Sequence, residues 1–296
     1  VAIATGALDL AGPAGTILRK SLAKELGSKA ASRTVKEAVK AGIRRAPREI
    51  GEEVVTGAAQ SIGLSIAEAF AREGALLALA DLSEGALHEA ARMLESTYKN
   101  KIVTLVGDLS KQETVSELLK ATQKELGTAS ILINNAGGGV ILPFLSHTPD
   151  TLRATIDRNL WTTLWCTRAF LPGMLEKKYG RIVMLGADSV RNGLTDHAAY
   201  NAAKGGVHGL TTGLAREFAT QGITVNTVAP CAVNSDAMQQ FLRDKPDVAH
   251  KFIDVIPMKR VAEQSEVASM VTYLASQEAA FVTGQVISVN GGSTML

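Results

Sequence analysis

No stretch of the chain stays apolar for the roughly 18 residues a membrane-spanning helix requires, so no membrane contact is expected. Cysteine is scarce. Cys166 and Cys231 stand far apart in hydrophobic surroundings, which argues against a disulfide framework or a thiolate metal site and reads as two reduced core thiols of a cytoplasmic protein. His88, His147, His197, His208 and His250 share no metal-ligand spacing, and no metal is expected. Nor is there an excess of one charge. The 31 Lys+Arg against 29 Asp+Glu leave a net of +2, which gives no general argument for nucleic acid.

What is present is apolar bulk: 46% hydrophobic residues in 296, with a mean hydropathy of +0.11, enough to bury one large α/β domain or two small ones. The charge is unevenly spread. Residues 1–50 carry 10 Lys+Arg against 4 Asp+Glu, leaving 21 against 25 for the remainder. Leu18, Leu22 and Leu26 lie four apart on one predicted helix. Thr34 and Glu37 form a capping box for a second, with Val35, Val39 and Ile43 on its face and a stop near Pro47. Residues 1–51 are therefore expected to be a basic, helical N-terminal extension, packing its apolar stripe on the main domain or on a partner subunit. Residues 52–296 form the main domain.

From Val54 the character changes. Val54-Val55-Thr56-Gly57-Ala58-Ala59-Gln60-Ser61-Ile62-Gly63 passes from a short β-type run through a turn into a helix from Leu64 to Glu73. Glycines at such a turn let backbone N–H groups approach a pyrophosphate, and the helix N-terminus favours its charge. The next strand, Ala75–Ala80, ends at Asp81, 18 residues past Gly63, where a carboxylate binds both ribose hydroxyls of an adenosine and repels a 2′-phosphate. Neither Gln60 nor Leu82 supplies a compensating cation, so the preference is for NAD.

Strands and helices go on alternating. Strands are predicted at Lys101–Val106, Ile131–Ile133, Arg181–Leu185, Ile223–Val228 and Gln285–Val289. Helices are predicted at Ser110–Leu126, Pro149–Glu176, Ala198–Thr220 and Glu263–Ala275. The pattern implies an α/β fold: a Rossmann-type doubly wound parallel sheet with ligands at the C-terminal ends of its strands, where Gly57, Asp81, Asp108 and Asn135 fall. Within the helix that starts at Ala198, Tyr200 and Lys204 are four apart, which places phenol and ammonium on one face. A nearby cation favours phenolate, so Tyr200 is expected to be drawn down from its usual pKa towards a working acid or base.

With Thr56-Gly57-x-x-x-Ser61-Ile62-Gly63, Asp108, Asn134-Asn135-Ala136-Gly137, Asn159, Tyr200-x-x-x-Lys204, Asn226-Thr227-Val228-Ala229-Pro230 and the closing Thr283–Gly292 assembled, residues 53–296 resemble the short-chain dehydrogenase/reductase family. The resemblance implies hydride transfer between a nicotinamide and an alcohol/ketone pair, commonly in a homotetramer; a homodimer is the alternative. It gives Tyr200 the proton transfer, Lys204 the tuning of Tyr200 and the nicotinamide ribose, and Asn159 a water of the proton relay. Gly57, Gln60, Ser61, Ile62, Gly63, Asp81, Asp108, Leu109, Asn135, Ala136, Gly137, Pro230, Val233 and Ser235 are the remaining cofactor positions.

Three departures stand out. The family's serine 13 residues before the tyrosine is Ala187 here, and a missing donor of this kind costs on the order of 10² to 10³ in rate. Ser189 is the candidate replacement, provided the loop is rearranged. Ser61 stands where the family has its middle glycine, which is tolerable if the backbone there is not left-handed. Glu52 and Glu53 precede Val54 where apolar residues are usual, so the first strand should be short or solvent-open at its start, or else be supplied by Val1–Thr5. His197 is a candidate to face the substrate. Trp161 and Trp165 read as a packed helix face, in a helix that the family resemblance implies also tends to form a subunit interface, and Ala237–Val255 reads as a substrate lid. The functional expectation is an NAD-dependent oxidoreductase of a secondary alcohol; Gly186-x-Asp188 with Arg191 loosely resembles family members that oxidise alicyclic or ring-diol alcohols, which would make the substrate one of those. The alternative is a nucleotide-binding scaffold disabled by Ala187.

Overall fold

The structure, a computed structural model, describes residues 51–295. The two basic helices and the alternative first strand Val1–Thr5 lie outside the described residues.

Seven strands form one parallel sheet: β1 Glu52–Thr56, β2 Leu76–Asp81, β3 Ile102–Val106, β4 Ile131–Asn134, β5 Gly180–Leu185, β6 Ile223–Pro230 and β7 Val286–Val289. Their order is β3-β2-β1-β4-β5-β6-β7. Successive side chains of a strand point to opposite faces, and here both faces are covered, which is why runs such as Val54-Val55, Leu132-Ile133 and Ile182-Val183-Met184 are apolar on both. Val55 packs under α1 (Ser61–Arg72) and α10 (Gln264–Leu274). Its neighbour Val54 packs on the other face, under α3 (Gln112–Glu125), α5 (Thr162–Lys177) and α7 (Ala198–Phe218). Leu132 and Ile133 of β4 divide the same way and are fully buried, each worth about 1.5–3 kcal/mol of apolar burial.

The strand order reverses between β1 and β4, and that switch point opens the crevice in which doubly wound sheets bind ligands. Glu52–Thr56 occupies the central position between β2 and β4; its two acidic residues do not shorten it but lie within it, Glu53 buried. Its opening is closed by charge rather than left to water: Lys177 Nζ lies 3.0 Å from the half-buried Glu52 carboxylate, and Ser130 Oγ donates to the same oxygen at 3.3 Å.

The long helix predicted at Pro149–Glu176 is divided. α4 (Pro149–Ile156) and α5 flank a π-helical turn, Asp157–Trp161, in which the amide of Thr162 reaches back five residues to Asp157. Apolar periodicity does not register the one extra residue such a turn contains. Trp161 and Trp165 stack at 5.3 Å, with Trp165 against the core and Trp161 half-exposed. The expected lid consists of α8 (Asp236–Asp244) and α9 (Pro246–Asp254), which meet at Lys245. The remaining elements are α2 (Glu84–Tyr98) and the short α6 (Ser189–Asn192).

Candidate active site

The floor of the crevice is tied together by three side chains. Thr56 Oγ1 accepts from the amides of Asn135 and Ala136, both at 3.0 Å, and donates to Ile133 O at 3.2 Å. Asn135 Nδ2 donates to the carbonyls of Thr56 (3.0 Å) and Gly57 (2.9 Å), so the loop after β4 holds the turn after β1. Asn159, in the π turn and fully buried, donates through Nδ2 to Gly138 O (2.9 Å) and Thr155 O (2.8 Å) while Oδ1 accepts from Gly138 N (3.2 Å). Its nitrogen is thus committed to the Gly138 loop and to its own helix, while Oδ1 keeps a second lone pair.

Two glycines decide whether a dinucleotide fits. Gly57 has φ +64°, and a Cβ there would stand 2.8 Å from Ala136 Cα; a Cβ on Gly63 would meet Gly57 O at 1.9 Å. Only bare backbone can close up this tightly. Behind the turn α1 begins at Gln60 with no side-chain cap and no acidic residue in its first turn, leaving its amides for an anion. Ser61 does have a left-handed backbone, φ +53°, so the condition that made serine easy to accept is not met. The position carries strain of about 1–2 kcal/mol.

At the end of β2 the Asp81 carboxylate accepts from Ala59 N and Ser83 N, both at 3.0 Å, which fixes it beside the turn. Asp108 Oδ1 accepts from Ser110 N at 2.9 Å next to the buried Leu109. A groove of about 360 Å³ brings together the expected cofactor positions, from Gly57 and Gln60 to Pro230. Only Val233 and Ser235 fall outside it. They line an adjoining cavity of about 390 Å³, where Ser235 Oγ caps α8 by accepting from Met238 N. A third cavity, of about 810 Å³, lies beneath the lid. Tyr200 lines all three.

Lys204 is buried one turn after Tyr200. Its Nζ lies 5.9 Å from the Tyr200 ring centroid and donates to Leu185 O at 2.7 Å. Burial governs both groups, raising the phenol to about 12 and lowering the ammonium to about 8. The expected downward pull on Tyr200 is therefore reversed: desolvation of the phenolate outweighs the attraction of a lysine that burial itself discourages from being charged.

Ala187 stands in the cavity wall beside Tyr200, and no hydroxyl occupies its place. Ser189 lines the same cavity, where its Oγ donates to Asn201 Oδ1 at 2.6 Å. Between them Asp188 is buried and anchors the wall to the segment after β7. It accepts from Asn290 Nδ2 at 2.8 Å, from Asn192 Nδ2 at 3.3 Å, and from Thr294 Oγ1. His197 does line the cavity, its ring edge-on to Tyr200 at 6.0 Å. Cys231 is only partly buried and faces the same cavity, so it is not the core thiol expected; Cys166 is. The part Thr56 plays in tying the loop after β4 to the turn was not foreseen; its signal was a hydroxyl directly before Gly57.

The family model described as Enoyl-(Acyl carrier protein) reductase matches residues 57–294. The chain is 59% identical over 250 residues to 2,3-dihydroxy-2,3-dihydro-p-cumate dehydrogenase from Pseudomonas putida, covering 84% of this chain and 96% of that one. The chain belongs to the short-chain dehydrogenase/reductase family. Among solved structures, levodione reductase superposes with a TM-score of 0.78 at 30% identity, over 84% of this chain and 98% of that one. An NADPH-bound short chain oxidoreductase from Pseudomonas aeruginosa PAO1 containing an atypical catalytic center matches with a TM-score of 0.78 at 28% identity, over 83% and 97%. The protein is thus an oxidoreductase of a family that uses a nicotinamide cofactor. No described helix is long and apolar enough to cross a membrane, and among the described residues no group of acidic, His or Cys side chains could hold a metal.

Proposed function

We propose that the protein is an NAD-dependent dehydrogenase that oxidises one carbinol of a vicinal diol on a partly reduced, carboxylated ring, acting as a cytoplasmic homotetramer or homodimer. The observation that carries this reading is Tyr200, which faces both the dinucleotide groove and the cavity under the lid. The substrate class rests on the 59% identity to an enzyme named for such a diol.

The residues fit the cofactor. The turn Gly57–Gly63 and the uncapped start of α1 would take the pyrophosphate, Asp81 the adenosine ribose, and Asp108 with Leu109 the adenine. Asn135, Ala136 and Gly137 would line the groove, with Pro230, Val233 and Ser235 at the nicotinamide end. Asp81, followed by Leu82 rather than a cation, favours NAD over the 2′-phosphate form. When bound, the nicotinamide supplies the hydride acceptor. Tyr200 takes the proton of the reacting hydroxyl; Lys204 would stabilise the resulting phenolate from the next turn, and Asn159 holds the Gly138 loop against the site. Ser189 would supply the donor that Ala187 lacks. Ala187 is also what favours a second reading, a binding scaffold without efficient turnover.

Calorimetry with NAD and NADP, followed by oxidation of 2,3-dihydroxy-2,3-dihydro-p-cumate read at the reduced-nicotinamide absorbance, tests the proposal. NAD binding with turnover that falls about 10³-fold in Tyr200→Phe, cofactor binding unchanged, is the expected result. Tight NAD binding without turnover, unrescued by Ala187→Ser, would leave the scaffold.

A further inference from the structure

We propose that Lys245 recognises a carboxylate on the substrate, so that the lid selects an anionic ring diol over a neutral one. The inference rests on the dehydrogenase reading for the identity of the diol, and on the cavity for the charge. The 810 Å³ cavity is walled on its lid side by Met238, Phe241, Val255 and Ile256, and Lys245 is the one lysine or arginine among its described lining residues.

The position of Lys245 is built. Its amide donates to Phe241 O, and its carbonyl accepts from Ala249 N, both at 2.9 Å, so it closes α8 and opens α9 in one residue. The backbone is held from both sides. The ammonium is exposed and forms no ion pair or side-chain hydrogen bond among the described residues, whereas elsewhere Lys101 and Lys177 are paired with glutamates.

Two carboxylates share the cavity, and neither neutralises this cation in the structure. Asp188 is buried and saturated by Asn290, Asn192 and Thr294. Asp196 is exposed on the loop four residues before Tyr200, where it suits a hydroxyl donor. An apolar wall with one unpaired ammonium suits an apolar ring carrying one negative group. Water leaving the cavity as the ring enters strengthens that attraction, because the effective dielectric falls.

Wild type, Lys245→Gln and Lys245→Arg are compared on 2,3-dihydroxy-2,3-dihydro-p-cumate and on the neutral diol in which methyl replaces the carboxylate. Binding of both diols to the NADH-saturated proteins is measured alongside by calorimetry. In Lys245→Gln the KM and Kd for the acid should rise about fivefold or more, with kcat within about twofold and the neutral diol unaffected. Lys245→Arg should keep most of the preference. An unchanged acid-to-neutral ratio in Lys245→Gln overturns the assignment while turnover upholds the dehydrogenase. Charge-selective binding that depends on Lys245 but without turnover in wild type overturns the dehydrogenase and upholds Lys245. Absence of both binding and turnover overturns the two together.

Discussion

Ser189 Oγ gives its proton to Oδ1 of Asn201, the residue that follows Tyr200, at 2.6 Å. The hydroxyl nearest in sequence to the missing serine is therefore held on the backbone turn that carries the acid/base. Turning the Asn201 amide over presents its nitrogen instead, and Ser189 becomes free to donate to a bound oxygen.

Ser189→Ala should accordingly lower kcat about 10²-fold, the usual cost of one preorganised donor. Ala187→Ser added to that variant should restore most of the loss, while Ala187→Ser alone should change kcat less than about threefold. Steady-state rates at saturating NAD and diol decide between this and a site that works without any second donor.

Asp81→Ser removes the carboxylate held by Ala59 N and Ser83 N. Affinity for NAD should drop and affinity for NADP rise, moving their ratio about tenfold or more, the equivalent of about 1.4 kcal/mol. Parallel titrations of the two cofactors report it; an unchanged ratio would remove Asp81 from specificity.

Lys204 makes stability depend on pH in an unusual direction. Burial lowers it from 10.5 to about 8, so between those values the unfolded chain binds a proton that the folded one does not, and stability rises with pH. Cys166 and Cys231, raised to about 12 and 11, act in the opposite sense above pH 9. The lysine is therefore read as a difference. From pH 8 to pH 10, urea unfolding of the cofactor-free protein should gain on the order of 2 kcal/mol relative to Lys204→Met.

Ser61→Gly should relieve the left-handed backbone at the head of α1. A gain of about 1 kcal/mol, or roughly 2–4 °C in Tm, is expected by thermal unfolding without loss of NAD binding.

The alternation of strands and helices was legible because a sheet covered on both faces writes itself as short apolar runs; every predicted strand of the main domain is present within one or two residues. The positions that line the groove were legible because close backbone approach demands glycine, as at Gly57 and Gly63, and because the ends of parallel strands gather at one crevice. Three features were not. The sign of the Tyr200 shift depends on how deeply both partners are buried, which spacing does not tell. The engagement of Asn159 with Gly138 and of Asp188 with Asn290 joins residues 21 and 102 apart in the chain. Lys245 looks like any surface lysine until two helices meet at it.

The π turn at Asp157–Trp161 has a consequence for changes of length. An α-helix advances about 100° per residue, so deleting one residue of that turn other than Asn159 would let a regular helix run through and rotate Pro149–Ile156 against Thr162–Lys177 by that amount. Asn159 would then swing off the Gly138 loop without having been substituted. Conservative exchanges along this stretch should be absorbed, while a one-codon deletion should be as damaging as losing the asparagine.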